Sequence, residues 1–396
     1  MGQQISRTVF DGLLVKTHVQ HALIQPNGRH NDVPTALATL VLLDGRPDQL
    51  QAVYEAESSG LKTWTPSPQS ISNEESKIRF LGDVRFQRAY MSYFSMELTR
   101  FSGIPKALAF SHLLTGDKPL IYGLFAGLGR PLVFLGDAME LHSPILVVQS
   151  LTLCAVDWMD SIHDILTHQR LGSPASEFLP PEQILSRVAY DGRLSGIMKS
   201  GPGFHGVSQV FANPGARAAV LDYLRQLDCR DAGTLVEQLS DLSAILLCGS
   251  HRPGCQAFDF YLSCVPSWVN SLRVLLPSLD DDADKVILLR GVWLLIVLAY
   301  ITQLRPVLDT TLLCTDEAPG PCTWEKVMAE FRERGISGGK YRDLHLLRTL
   351  RSLWSLGRDR PQERQLNLKA ACKLVREWKG WTGLGADREE TLNIRL

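Results

Sequence analysis

Residues 90–101 read YMSYFSMELTRF, and their spacing decides the fold class. Tyr90, Tyr93, Phe94, Leu98 and Phe101 recur at three- and four-residue intervals, which places them on one face of a helix. The same period runs outward along the chain. Residues 144–166 form a long apolar run with few breakers, 220–227 and 235–247 repeat the pattern, and 343–356 continue it. Gly338 and Gly339 precede that last segment and Gly357 follows it, which suits a helix stop. Strict two-residue alternation, the mark of a half-buried strand, is scarce. The sequence therefore predicts a mainly α protein. It is read as a single large helical domain over residues 1–396 enclosing a central pocket, with residues 1–20 as a flexible N-terminus. Residues 63–73, 172–181, 199–214 and 315–322, rich in Pro, Gly and polar residues, are expected as loops.

The chain has 396 residues, enough for a large core, and its 45% apolar and 21% charged content is that of a globular protein. A net charge of −1 gives no overall field for nucleic acid or an anionic membrane. The basic residues Arg342, Arg348, Arg351, Arg358 and Arg360 are interrupted by acids, so they read as a solvated face. The longest apolar stretch, residues 291–301 (GVWLLIVLAYI), is too short to span a bilayer and is flanked by Arg290 and Arg305. It reads as a buried core helix, without stable membrane insertion. The N-terminus lacks the apolar run of a secretory signal, and Met1-Gly2-Gln3-Gln4-Ile5-Ser6 matches the N-myristoylation pattern. Eight cysteines are scattered without a Cys-x-x-Cys pair, which argues against structural zinc and for reduced, buried thiols in a cytoplasmic protein.

Other motifs carry little. Gly201-Pro202-Gly203-Phe204-His205-Gly206 matches G-x-G-x-x-G, but the residues before it do not read as a strand. His18, His21, His30, His112, His142, His163, His168, His205 and His251 show no metalloprotease spacing and read as surface or core histidines. No Gly-x-Ser-x-Gly elbow, P-loop or paired-carboxylate signature is present.

Residues 122–144 read YGLFAGLGRPLVFLGDAMELHSP, small and aliphatic, with Gly123, Gly127, Gly129 and Gly136 and with Asp137 and Glu140 embedded. This segment resembles the signature of the questin oxidase-like family of fungal and bacterial proteins, which includes oxygenases that open aromatic polyketide rings. The resemblance runs to near residue 355. Asn31-Asp32-Val33-Pro34 is similar to the family's Asn-His-x-Pro, with Asp32 at the histidine. Arg130 and Phe134 stand at the two histidines of the signature, Asp157 at another, and Cys264 at one within DFYLSCVPSWVNSLRVLLP (259–277). The late Asp-x-His-x-x-Lys is here Asp343-Leu344-His345-Leu346-Leu347-Arg348. Metal-dependent members hold iron with several histidines and a modified lysine, and some oxidative relatives use NADPH. Arg348 cannot form a carbamate and Arg130 has no lone pair to give. A divalent cation about 4 Å from one guanidinium meets roughly 8 kcal/mol of repulsion at an effective dielectric near 20.

The resemblance thus implies a secondary-metabolite tailoring enzyme with its metal set replaced and no cofactor, NADPH or iron being the alternatives by family analogy. Its partner would be an oxygenated, hydrophobic polyketide or terpenoid intermediate. The expected reaction is metal-free cyclisation, cycloaddition or rearrangement. Baeyer–Villiger-type or ring-cleaving oxygenation and a non-catalytic carrier are the alternatives. His345 would act as acid or base, with Arg130 and Arg348 stabilising an oxyanion. Asp32, Phe134, Asp157 and Cys264 would line the substrate. His345 and Arg348 lie three apart on one helical face, and the guanidinium is expected to lower the imidazole's proton affinity.

Overall fold

The computed structural model describes residues 2–168, 177–199, 201–251, 255, 257–313, 322–334, 341–361 and 365–384, with backbone alone at 2–3, 331–334 and 341–343. The expected loops at 172–181 and 315–322 fall largely outside these residues, as do Gly338, Gly339 and Cys314. The fold is mainly α. The chain groups into two compact units, each woven from three segments.

The first unit comprises residues 1–164, 274–284 and 335–348. It opens with α1 (Gly2–Gln20), α2 (Val33–Leu42), α3 (Pro47–Ser58), α4 (Glu74–Arg79), α5 (Gln87–Arg100) and α6 (Pro105–Leu114). The N-terminal segment is helical, not the flexible terminus expected, because Phe10, Leu13, Leu14 and Thr17 form a stripe that is buried. Next come α7 (Arg130–Leu141), α8 (Pro144–Val156) and the start of α9 (Asp160–Thr167). The run at 144–166, read as long with few breakers, turns by 90° between α8 and α9. Asp157 ends α8, and the Trp158 indole donates to the Asp160 carboxylate at 3.0 Å, closing the corner.

The turn into α7 is unusual. Gly127, Leu128 and Gly129 have φ of 53°, 61° and 65° in succession. Two glycines hold this left-handed path freely, whereas Leu128 does so at about 1–2 kcal/mol. His142 ends α7 with φ 48°, and Ser143 caps α8 with Pro144 at its first position. The Ser150 hydroxyl donates to the Pro131 carbonyl at 2.8 Å and joins the two helices.

The second unit comprises residues 165–273, 285–334 and 349–396. It holds the end of α9, then α10 (Pro181–Tyr190), α11 (Val207–Ala212), α12 (Pro214–Gln226), α13 (Ala232–Gly249), most of α14 (Val265–Leu275) and of α15 (Asp282–Thr302), and α16 (Trp324–Arg334). The second half of α17 (Tyr341–Gly357) and all of α18 (Leu366–Glu377) complete it. α11 lies within residues expected as a loop. In α15, every residue from Val292 to Thr302 is buried, as expected for the apolar run. Each such aliphatic side chain contributes about 1.5–3 kcal/mol. A single short parallel pair, β1 (Phe258–Asp259) with β2 (Trp381–Thr382), is the only sheet among the described residues.

Thiol chemistry departs from expectation. Cys154, Cys248 and Cys264 are buried thiols, but Cys322 and Cys372 form a disulfide.

One core histidine makes the first unit sensitive to acid. His112 is 7% exposed, ringed edge-on by Tyr93, Phe94 and Phe101, with Glu97 3.6 Å away. Burial, with the Lys77 charge adding, lowers its pKa to about 4. The unfolded chain takes up a proton below pH 6.5 that the folded core refuses. His112 therefore withdraws stability as pH falls from 6.5 to about 4, by on the order of 2–3 kcal/mol. His112→Leu is expected to reduce the loss of melting temperature across that interval, with His18, likewise lowered to about 4 by burial, still contributing. A variant whose acid sensitivity matches the parent's would rule this source out.

Candidate functional site

α7 carries Arg130, Phe134 and Asp137 at i, i+4 and i+7, so one face presents all three. Each has a distinct fate. Asp137 is 2% exposed, and a carboxylate so buried must be neutralised. Arg348 of α17 does this with a two-pronged fork. Its Nη1 donates to Asp137 Oδ1 at 2.7 Å and its Nη2 to Oδ2, and Nη2 also donates to the Thr35 carbonyl at 2.9 Å. Phe134, also buried, fills the turn between. Arg130, where the left-handed turn enters the helix, forms an ion pair with Asp32, the residue at the N-terminus of α2. That pair is more open, 23% and 17% exposed.

A second dyad lies beside it. The antiparallel bridge between Ile24 and His30 closes a turn around Gly28, and Asn31 N–H donates to the Leu23 carbonyl at 2.7 Å. This holds His30 so that Nε2 lies 2.7 Å from Asp157 Oδ2. Asp157 sits at the carboxyl end of α8, where the helix dipole disfavours an anion, and the imidazole offsets that. A Cβ at Gly127 would press into the Asp157 carboxylate and lie 3.3 Å from His30 Nε2. The left-handed turn is thus laid directly over the dyad, which explains why glycine is needed there. His30 and Asp157 are 14% and 12% exposed.

The structure therefore joins Asp32 to Arg130 and pairs Arg348 with a carboxylate of α7. It gives Asp157 a histidine partner. His345 is half-buried on α17, one turn before Arg348. Cys264 belongs to the second unit, where its thiol donates to the Phe260 carbonyl at 3.4 Å. Sequence reasoning missed His30 and Asp137. His30 had one signal, its place immediately before Asn31-Asp32; Asp137 had its seven-residue spacing from Arg130.

Does this set fit an iron centre? Of the positions where the family resemblance implies ligands, Arg130 and Arg348 hold guanidinium groups and Phe134 a phenyl ring, Asp32 faces Arg130, Asp157 faces His30, and Cys264 and His345 are the others; among the described residues no three His, Cys, Asp or Glu side chains group as for a metal ion. Such a set does not fit a cation, and no step below passes through one. The Gly201–Gly206 stretch likewise departs from a dinucleotide fingerprint. Among the described residues before it, 197–199 form no strand, and the helix after it, α11, spans six residues.

The Asp137–Arg348 pair makes a sharp energetic prediction. Arg348→Met should destabilise by about 3–5 kcal/mol, since it strands a buried carboxylate, while Arg348→Met with Asp137→Leu should recover most of the loss. Urea unfolding of both variants tests this. A double variant as unstable as the single one would contradict it.

A curated relative, the Baeyer-Villiger monooxygenase dmxR6 of Cryptosporiopsis sp. (strain 8999), is 24% identical over 161 residues. The match covers 38% of this chain and about a third (35%) of the relative's length. The family model described as Questin oxidase-like matches residues 29–353, from the His30 turn to the helix that carries Arg348. The chain belongs to the questin oxidase-like family.

Proposed function

We propose that this protein is a tailoring enzyme of secondary metabolism, of the oxygenase type, acting on an oxygenated hydrophobic intermediate. One observation carries the reading: a histidine–carboxylate dyad, His30–Asp157, partly open to solvent beside the Asp32–Arg130 pair. Family membership and the named activity of the relative support the oxygenase class.

In this reading His30 removes a proton from an activated C–H or phenol of the substrate, with Asp157 fixing the tautomer and stabilising the imidazolium. Arg130, steadied by Asp32, donates to the oxygen on which charge develops. His345 is a second candidate for proton transfer, and Phe134 is a candidate wall residue. The Arg348–Asp137 pair holds the α7 face in place. A carbanion made this way reacts with dioxygen without metal or nicotinamide. A methylene becomes a carbonyl, one oxygen atom enters the product and the other leaves as water, with all electrons coming from the substrate. Baeyer–Villiger insertion would differ in needing an external reductant such as NADPH.

A second reading, metal-free cyclisation or rearrangement, starts with the same proton transfer and consumes no oxygen. The guanidiniums at the implied ligand positions favour it.

Incubation of hydroxylated aromatic ketones under ¹⁸O₂, with and without NADPH, separates the readings. The oxygenase reading expects one labelled atom per product; unlabelled, isomeric product obtained equally without oxygen would transfer the assignment to cyclisation. His30→Gln should lower turnover by roughly 10²–10⁴-fold with the melting temperature retained. Asp157→Asn should act in the same direction, and His345→Ala tests the second candidate. Full activity in folded His30→Gln would remove the dyad from the mechanism. Elemental analysis should find no stoichiometric iron or zinc; about one tightly held metal per chain would overturn the metal-free account.

A further inference from the structure

We propose that the Cys322–Cys372 disulfide is a reversible redox clasp on the C-terminal end of α17. Cys322 lies just before α16 and Cys372 lies within α18, with Cα atoms 6.4 Å apart at a sequence separation of 50. α17 is the helix enclosed by that loop. Its last residue, Gly357, is gripped by the two elements the disulfide ties together. A Cβ there would lie 2.9 Å from the Trp324 indole and 2.8 Å from the Asn367 side chain. Trp324 is two residues after Cys322, and Asn367 is five before Cys372. Asn367 is itself anchored, its amide donating to the Ser240 hydroxyl of α13 at 2.9 Å. The bond therefore closes a vice around the end of α17.

Access to the two sulfurs is unequal. Cys322 is exposed, whereas Cys372 is buried at 6%. A dithiol in solution reaches the Cys322 sulfur first, forming a mixed disulfide and releasing Cys372 as the thiolate. Its second thiol then closes on the first. The protein disulfide is reduced to two thiols, which take the two protons, and the dithiol is oxidised to its own disulfide. Opening the clasp frees α16 from α18 and loosens their grip at Gly357. Arg348 lies about 13 Å back along the same helix, at 1.5 Å per residue. The clasp thus bears on how firmly the C-terminal half of α17 is held. This inference does not depend on the reaction proposed above, since its readouts are structural.

Hydrogen exchange of residues 341–357, with the melting temperature, tests it in a Cys255→Ser background that removes an exposed free thiol. Peptide mapping of protein purified without reductant should find Cys322 joined to Cys372. Dithiothreitol should speed exchange in α17 by about tenfold or more and lower the melting temperature by about 5 °C. Reoxidation should reverse both, and Cys322→Ser should behave as the reduced protein without responding to dithiothreitol. Free Cys322 and Cys372 in the oxidised preparation would overturn the proposal. So would unchanged exchange in α17 after reduction verified by thiol titration.

Discussion

A carboxylate cannot remain in a protein interior unneutralised, and Asp137 is such a carboxylate. This requirement ties α7 to α17 through Arg348, whose guanidinium also satisfies the Thr35 carbonyl in the first turn of α2. With α2 and α7 held in that register, Asp32 and Arg130 meet two turns further along α7, and Phe134 fills the space between. The left-handed path Gly127–Gly129 follows from the same register, because the chain must enter α7 over the His30–Asp157 dyad.

The charge count at these positions has a chemical meaning. Asp32, Asp137 and Asp157 carry three negative charges when ionised. Arg130 and Arg348 supply two positive ones. Both guanidiniums are already matched to carboxylates, so neither resembles the bare cation that would attract an anionic substrate strongly. The arrangement sets a histidine–carboxylate pair beside a guanidinium aimed by its own counter-ion.

Much of the fold was legible because helix formation is local. The three- and four-residue spacing at Tyr90–Phe94 and the apolar run of α15 describe one face or one interior, and both elements form where periodicity places them. Errors arose where tertiary context overrides local pattern. The N-terminal stripe of α1 looks weak alone and is ordered by burial; the corner after Val156 depends on Asp157 and Trp158 finding partners. The site was legible only in part. Arg130, Asp32 and Arg348 stood out as substitutions within a recognisable frame. His30–Asp157 and Asp137–Arg348 join residues 127 and 211 apart, and no spacing rule reaches that far. The disulfide was invisible for the same reason, since scattered cysteines acquire meaning only when the fold brings two of them together.

The central claim is that this centre moves protons with a histidine–carboxylate dyad where its family frame suggests a metal. Deuterium exchange under anaerobic conditions tests it most directly. Hydroxylated aromatic ketones bearing an activated methylene would be incubated with the metal-stripped protein in D₂O, and label at that carbon followed by mass spectrometry. The account predicts exchange well above the buffer rate, lost in His30→Gln and retained with chelator present. Exchange that appears only after iron is added, or that is unchanged in the folded His30→Gln variant, would contradict it.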